Sequence, residues 1–235
     1  MATPTPQINL ITHKPRPAGR KLGRHRLINW YEFASMRTVP PDAPIKSVWH
    51  PPVDREPLDQ GSVGACTGYA TAECLSTAPY TRALTSAEAL AIYSRATQID
   101  GIDGVYPPED TGSTGWAAMR AAVDLGLCGG FSMSSTLTGL LVGLQTVPVT
   151  IGIPWMSGCD APDITSGLVR PTGELEGGHE LCVVGCDVDD HTVVIRNSWG
   201  DWGVQYQGGA GYFLIGWTDL EILLASGGDV CIPYL

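Results

Sequence analysis

The stretch from Leu58 to Tyr69, LDQGSVGACTGY, places the strongest constraint on how this chain can fold. It sets an amide side chain, Gln60, six positions before Cys66 and fills the interval mainly with glycine, serine and alanine. Small residues let a backbone turn tightly and approach a ligand closely. From Cys66 onward the sequence lacks proline up to Ala78 and repeats small residues at a spacing of four. This pattern predicts a buried helix that begins at the cysteine.

A cysteine in the first turn of a helix lies among unpaired N–H groups, at the positive end of the helix dipole. Both favour the thiolate over the thiol, so Cys66 is a candidate nucleophile. The alternative is that Cys66 is inert core packing, which is common for cysteine and stays open on this stretch alone.

A thiolate nucleophile needs a base, and the base needs an orienting partner. His179 enters an apolar run after two glycines, and Asn197 leaves another apolar run, so each is predicted at a strand end. The remaining histidines lie in polar or proline-rich contexts: His13, His25, His50 and His191. We therefore predict His179 as the base and Asn197 as its partner.

The segments QGSVGAC, GGHELCVVGCD and IRNSWGDWG occur in this order and resemble the signature blocks of the papain-like cysteine peptidases, from about residue 50 to the C-terminus. The resemblance implies an α+β fold of two lobes, a helical lobe and an antiparallel β-barrel-like lobe, with the active-site cleft between them. It assigns Cys66 as nucleophile, His179 as general base and acid, and Asn197 as the orienting amide. It also assigns Gln60 as a donor to the oxyanion and Trp199 as a shield of the His-Asn hydrogen bond.

The same resemblance predicts how a substrate would bind. Gly112, Ser113 and Gly178 are expected to contact a polypeptide in extended conformation, because a backbone with small side chains beside a cleft suits strand-like pairing. For Gly112 and Ser113 an ordinary turn is an equally weighted alternative. Small residues are expected around the main specificity pocket and predict a roomy one: Thr114, Gly115, Gly152 and Gly177.

The sequence departs from the family pattern near the nucleophile. Val63 and Thr67 occupy positions where the family usually has a disulfide cysteine and an aromatic residue. Cys66 lies 113 positions before His179 and 131 before Asn197, against a family separation of about 130–150. The chain thus resembles a trimmed bacterial or phage-encoded branch.

The predicted activity is that of a cysteine endopeptidase that forms a thioester acyl-enzyme, without a cofactor or metal. Two alternatives stay open. One is a catalytically inactive papain-like scaffold that acts as a binding or virion-associated structural protein. The other is a different thiol acyltransferase or amidase, such as a cell-wall peptide hydrolase. The sequence has no serine-hydrolase, zincin or phosphate-loop motif.

Charge and cysteine content bear on partners and compartment. A net charge of −10 and a pI near 4.8 argue against nucleic acid or an anionic membrane as partner. No apolar run approaches ~18 residues, and no secretory signal begins the sequence, so we expect a cytoplasmic location, or the host cytoplasm or virion for a phage-encoded chain. Cys182 and Cys186 would lie ~13 Å apart on one strand, too far to bridge, and we expect reduced cysteines.

The predicted organisation has a proline-rich arm at 1–50 and a peptidase domain at 51–235. The arm contains a basic run at 13–26 and is expected to lie over the acidic body, with an anion-binding tail or a segment that blocks the cleft as alternatives. The domain divides into a helical lobe at 51–130 and a β lobe at 131–235.

Local signals predict further elements. Thr85 and Glu88 match a capping box that opens a second helix, and Gly126 is expected to end a third helix at 116–125. Residues 98–115 are predicted to be a solvated loop, with a calcium site at Asp100, Asp103 and Asp110 as the weaker alternative. Short β-type runs follow, and a capped helix is predicted from Thr218 to Ala225.

Overall fold

A computed structural model describes residues 44–54 and 56–234 of the chain. The predictions for the arm before residue 44, including its basic run and a blocked cleft, lie outside the described residues. Among the described residues no helix is long and apolar enough to cross a membrane.

Three helices occupy the first half of the described chain: α1 (Cys66–Leu75), α2 (Ser86–Thr97) and α3 (Gly115–Asp124). Every residue of α1 is buried, and both α2 and α3 pack against it. Gly68 permits this close packing, because a Cβ there would lie 2.8 Å from the Cβ of Tyr93 on α2. The alanines and aromatic residues of the three helices form a separate apolar core.

The second half is built on an antiparallel sheet. Its strands are β1 (Val48–Trp49), β2 (Gly130–Ser134), β3 (Val149–Met156), β4 (Leu175–Asp187), β5 (Thr192–Arg196), β6 (Val204–Tyr206), β7 (Gly209–Gly216) and β8 (Asp229–Tyr234). The order across the sheet is β2-β8-β3-β4-β5-β7-β6, and β1 pairs with β4. β4 is therefore central, and α1 packs against it.

Two further helices, α4 (Leu137–Leu144) and α5 (Trp217–Ala225), pack together and against strands of the sheet. With Trp155, Phe213 and aliphatic side chains of β3, β4 and β5 they form the largest apolar core. A smaller buried cluster, which includes Cys74 of α1 and Cys182 of β4, joins α1 to the sheet. The chain thus has the predicted α+β fold, with the helix that begins at Cys66 held against the strand that contains His179.

Most local predictions are confirmed. The helix begins at Cys66 itself, and Thr85 and Glu88 form both bonds of the capping box. Gly126 follows α3 with a φ of 71°, as a glycine that ends a helix does. Val48 and Trp49, which the predicted arm included, pair with β4 as β1.

Two local features differ from the predictions. The cap predicted at Thr218 is wrong: α5 begins one residue earlier, at Trp217, and its N-cap is Gly216, without a side-chain bond. Helix α4 was not predicted because its sequence, LTGLLVGL, contains two glycines, which lower helix propensity. It is stabilised instead by Thr136, whose hydroxyl accepts a bond from Gly139 N–H, and by burial of its leucines.

Candidate active site

Cys66 is the first residue of α1, and its side chain is fully buried. The preceding Ala65 contributes no side-chain cap, and the first turn contains no acidic residue. The local electrostatic field is therefore that of the helix N-terminus, uncancelled by a carboxylate in that turn. Such a field favours a thiolate.

His179 and Asn197 are joined by a hydrogen bond of 2.8 Å between Nε2 and Oδ1. Oδ1 also accepts a bond of 2.9 Å from Ser198 N–H, so the amide oxygen faces both donors. Nε2 of His179 therefore carries the proton of a neutral ring, and Nδ1 is the basic nitrogen. Both side chains are fully buried.

Aromatic rings cover this hydrogen bond. Trp199 stacks on His179 at a centroid distance of 4.8 Å and an interplanar angle of 26°. Trp155 meets the same imidazole edge-on at 5.0 Å. Trp155 was not singled out from the sequence, because only pairing of β3 with β4 brings it beside His179. Water is thus excluded from the ring, which strengthens the bond to Asn197.

Gln60 lies in the loop before α1 and is bound to the segment that follows Asn197. The side-chain oxygen of Gln60 accepts a bond of 2.7 Å from the Ser198 hydroxyl. The backbone N–H of Gln60 donates to Ser198 C=O at 3.0 Å. Its Nε2 donates to Val63 C=O at 2.9 Å. Because an amide NH₂ has two protons, one donor remains for an oxygen near Cys66.

The two chain segments are also paired through the backbone. Asp59 and Trp199 form an antiparallel bridge, and Gly200 N–H donates to Leu58 C=O at 3.1 Å. These bonds fix the loop that contains Gln60 relative to Asn197.

A buried ion pair supports the same junction. Arg196 Nε lies 3.1 Å from Glu73 Oε2, with side chains only 1% and 2% exposed. Glu73 Oε1 accepts a bond of 2.6 Å from Leu58 N–H. Burial raises the pKa of Glu73 above its usual value, against the opposing attraction of Arg196. Glu73 therefore connects α1, the loop before it and the end of β5.

The residues predicted to bind substrate lie on two different elements. Gly112 and Ser113 precede Thr114, the N-cap of α3, and both are buried; Gly112 has a φ of 69°. Gly178 lies on β4, where it pairs with Pro154 of β3, one residue from His179. Their binding roles stay predictions.

Two acidic residues that the sequence did not indicate lie beside Gly115 and Gly152, which are predicted to line the specificity pocket. Gly152 on β3 pairs with Glu180 on one side and Asp229 on the other. A Cβ at Gly115 would lie 2.5 Å from Glu180 Oε1 and 2.9 Å from Asp229 Oδ1. The space beside Gly115 is therefore occupied by buried carboxyl groups, which the pairing of β3 with β4 and with β8 brings together.

Four of the other cysteines have thiols whose pKa is raised by burial. None of the seven cysteines is in a disulfide, so Cys182 and Cys186 are not bridged. Burial raises the pKa of Cys74, Cys128 and Cys186, and that of Cys159 to about 11. A raised pKa keeps a thiol protonated and unreactive.

Within the described ranges no group of His, Cys, Asp and Glu could hold a metal ion. The carboxylates of Asp100 and Asp110, which the calcium alternative would use, instead accept hydrogen bonds from protein groups.

Known proteins resemble this chain in structure but not in sequence. No family model matches it, and no curated protein does. Xylellain, a cysteine protease from Xylella fastidiosa, matches with a TM-score of 0.58 and 16% identity over 80% of this chain and 86% of that one. The proform of the ragweed pollen cysteine protease Amb a 11 has a TM-score of 0.58 and 14% identity over 86% and 70%. Procathepsin B from Trypanosoma congolense matches with a TM-score of 0.53 and 17% identity, over 78% of this chain and 73% of that one.

The structural neighbours are papain-like cysteine proteases, and this chain has their fold. The predicted papain-like fold class is thereby confirmed.

Proposed function

We propose that the protein is a cysteine endopeptidase with Cys66 as nucleophile, His179 as general base and acid, and Asn197 as the orienting residue. The observation that carries the proposal is the buried bond between His179 and Asn197, stacked beneath Trp199, on a fold that packs the helix of Cys66 against the strand of His179. Xylellain and Amb a 11 are described as cysteine proteases, which supports the same class. We also propose that the chain comes from the trimmed bacterial or phage-encoded branch of the papain-like peptidases that its sequence resembles.

The bond to Asn197 determines the direction of proton transfer. Since Nε2 is bound to the amide oxygen, Nδ1 takes the proton from the Cys66 thiol. The thiolate attacks the peptide carbonyl carbon, and the oxyanion is bound by the Cys66 N–H and the remaining donor of Gln60. His179 then protonates the leaving amine as the C–N bond breaks, which gives a thioester. Water, deprotonated by His179, hydrolyses the thioester to a carboxylic acid and restores the thiol.

Labelling tests the proposal directly. A thiol-directed peptidyl epoxide is expected to modify Cys66 and to block hydrolysis of a casein-type substrate, with the modified cysteine located by mass mapping. Cys66→Ala should abolish both labelling and hydrolysis. The matched control is Cys128→Ala, since Cys128 is partly exposed and its pKa is raised; it should retain both. Turnover that survives Cys66→Ala would contradict the assignment.

One observation favours the inactive scaffold as a second candidate. Cys66, His179 and Asn197 all have 0% exposure, so a peptide must displace neighbouring groups to reach them. A scaffold without activity would resist the epoxide at Cys66 even after prolonged incubation, and would bind a peptide without cleaving it. A cell-wall peptide hydrolase would instead cleave a cell-wall peptide in preference to casein.

A further inference from the structure

A chain of three hydrogen bonds links the predicted substrate segment to the loop before Cys66. Gly112 N–H donates to the Tyr93 hydroxyl at 2.9 Å, and this hydroxyl donates to Asp110 Oδ1 at 2.6 Å. Asp110 Oδ2 accepts a bond of 2.7 Å from Gly64 N–H. Gly64 lies two residues before Cys66, so these hydrogen bonds join two separate segments of the helical half, the one predicted to contact substrate and the one that leads into α1.

Tyr93 is the buried centre of this chain. It lies on α2 with 0% exposure, and its Cβ packs against α1 at Gly68. Asp110 is exposed, whereas Tyr93, Gly112 and Gly64 are buried, so Tyr93 is the buried side chain of these hydrogen bonds. Burial, and then the bond to Asp110, raise the pKa of Tyr93. The phenol therefore keeps its proton and can donate to Asp110 while it accepts from Gly112.

The neighbouring residue is held in a similar way. The Ser113 hydroxyl donates to Asp100 Oδ2 at 2.7 Å, and Asp100 Oδ1 accepts from Ile102 N–H at 2.8 Å. No cysteine of the chain is in a disulfide. The position of this segment relative to α1 is thus fixed by side-chain hydrogen bonds and by packing.

We propose that Tyr93 is a positioning residue for substrate binding. Through Asp110 and Gly112 it holds the segment 112–113, which is predicted to bind the peptide, at a fixed distance from the loop before Cys66. Its kinetic consequence rests on the proposed peptidase function, whereas its structural consequence does not. An extended peptide that pairs with the 112–113 backbone would bind less tightly in both ground and transition states if that backbone shifted. Such a uniform loss raises KM with little change in kcat.

The test compares Tyr93→Phe with the wild-type chain. The substitution keeps the ring and removes one hydroxyl, so Gly112 loses its acceptor and Asp110 loses a donor. We expect KM for an extended peptide to rise about three- to tenfold, the range for a lost hydrogen bond, with kcat changed less than twofold. Amide hydrogen exchange should accelerate at Gly112 more than at Gly64.

Two other variants separate the steps of the chain. Asp110→Ala should accelerate exchange at Gly64 more than at Gly112, which reverses the pattern of Tyr93→Phe. Asp110→Asn keeps one acceptor oxygen, for Gly64 N–H, but replaces the acceptor of the Tyr93 hydroxyl by an NH₂ group, so its KM should lie between those of the wild type and Asp110→Ala. The matched control is Tyr69→Phe, another buried tyrosine of the helical half, which should leave KM and both exchange rates unchanged.

The outcomes distinguish this proposal from the proposed function. A KM within twofold of wild type for Tyr93→Phe, with unchanged exchange at Gly112, overturns the positioning role. Equal effects of Tyr93→Phe and Tyr69→Phe on KM overturn it as well, because they indicate general destabilisation. Absence of hydrolysis by the wild-type chain overturns the proposed function, and the exchange rates then still decide whether Tyr93 holds Gly112.

Discussion

The loop before Cys66 is attached to the rest of the molecule on two sides, and the two attachments differ in chemistry. Toward the β half, it pairs by backbone hydrogen bonds with the segment after Asn197, and the Glu73–Arg196 ion pair is buried behind this junction. Toward the Gly112 segment, it is attached through the side chains of Asp110 and Tyr93. The first attachment orients the proposed catalytic groups, and the second orients the proposed substrate backbone.

The difference suggests how the two functions of the site can vary independently. Backbone pairing hardly depends on side-chain identity, so the main-chain positions of Gln60 and Asn197 should tolerate most substitutions other than those in the buried ion pair. A contact made by one hydroxyl and one carboxylate can be changed by a single substitution. Stability should therefore depend mostly on the first attachment, and substrate affinity on the second.

The largest expected effect is on the first attachment. Glu73→Ala leaves the Arg196 guanidinium and Leu58 N–H without their shared acceptor, and should lower the free energy of unfolding by about 3–5 kcal/mol, measured by urea denaturation. Asp124→Ala, which removes exposed ion pairs with Arg95 and Arg120, is the matched control and should have a far smaller effect. Equal losses in the two variants would contradict the importance of the buried pair.

Gln60→Ala should affect catalysis more than folding. We expect kcat for peptide hydrolysis to fall about 10²-fold with little change in KM, because the proton of Gln60 Nε2 that Val63 does not use is proposed to contact the oxyanion in the transition state alone. Steady-state kinetics should compare kcat and KM of Gln60→Ala with those of the control Gln98→Ala. Gln98 is an exposed glutamine at the end of α2. A rise in KM alone would argue against an oxyanion role for Gln60.

The raised pKa of Glu73 predicts a pH dependence of stability. The folded state holds this proton more tightly than the unfolded chain, whose carboxyl has the ordinary value of 4.5. The contribution of Glu73 to the free energy of unfolding is therefore complete below pH 4.5 and decreases as pH rises through the raised pKa. Thermal unfolding between about pH 4 and 8 should show the wild type losing stability relative to Glu73→Gln as pH rises. A gain in stability of the wild type relative to Glu73→Gln as pH rises would show that the attraction of Arg196 lowers the pKa of Glu73 more than burial raises it.

The smallest effect is expected away from both attachments. Thr85→Ala removes the capping bond to Glu88 N–H at the start of α2 and should cost about 1 kcal/mol of stability. Neither kcat nor KM should change, since the cap contacts no residue of the site. A change in KM would indicate that the start of α2 also positions Tyr93.

Sequence and structure contributed differently to the two attachments. Cys66, His179, Asn197 and Gln60 were recognisable from the sequence as candidate site residues, because each lies in a short local motif. The partners that connect them were not. Glu73 and Arg196 are 123 positions apart in sequence. The sequence predicts Asp110 in a solvated loop, with a calcium site as the alternative, whereas in the structure its carboxylate accepts bonds from Tyr93 and Gly64.

The amino-acid sequence by itself determined the helix that begins at Cys66, the capping box of α2, the main β-type runs and the resemblance that predicted the fold. These depend on periodicity, capping and glycine placement, which act over a few residues. Only the tertiary structure decided that Trp155 covers His179, that Glu180 and Asp229 fill the space beside Gly115, and that Tyr93 connects Gly112 to Gly64. Strand register and helix packing bring these residues together, and both depend on the pairing of distant segments, which local pattern does not specify.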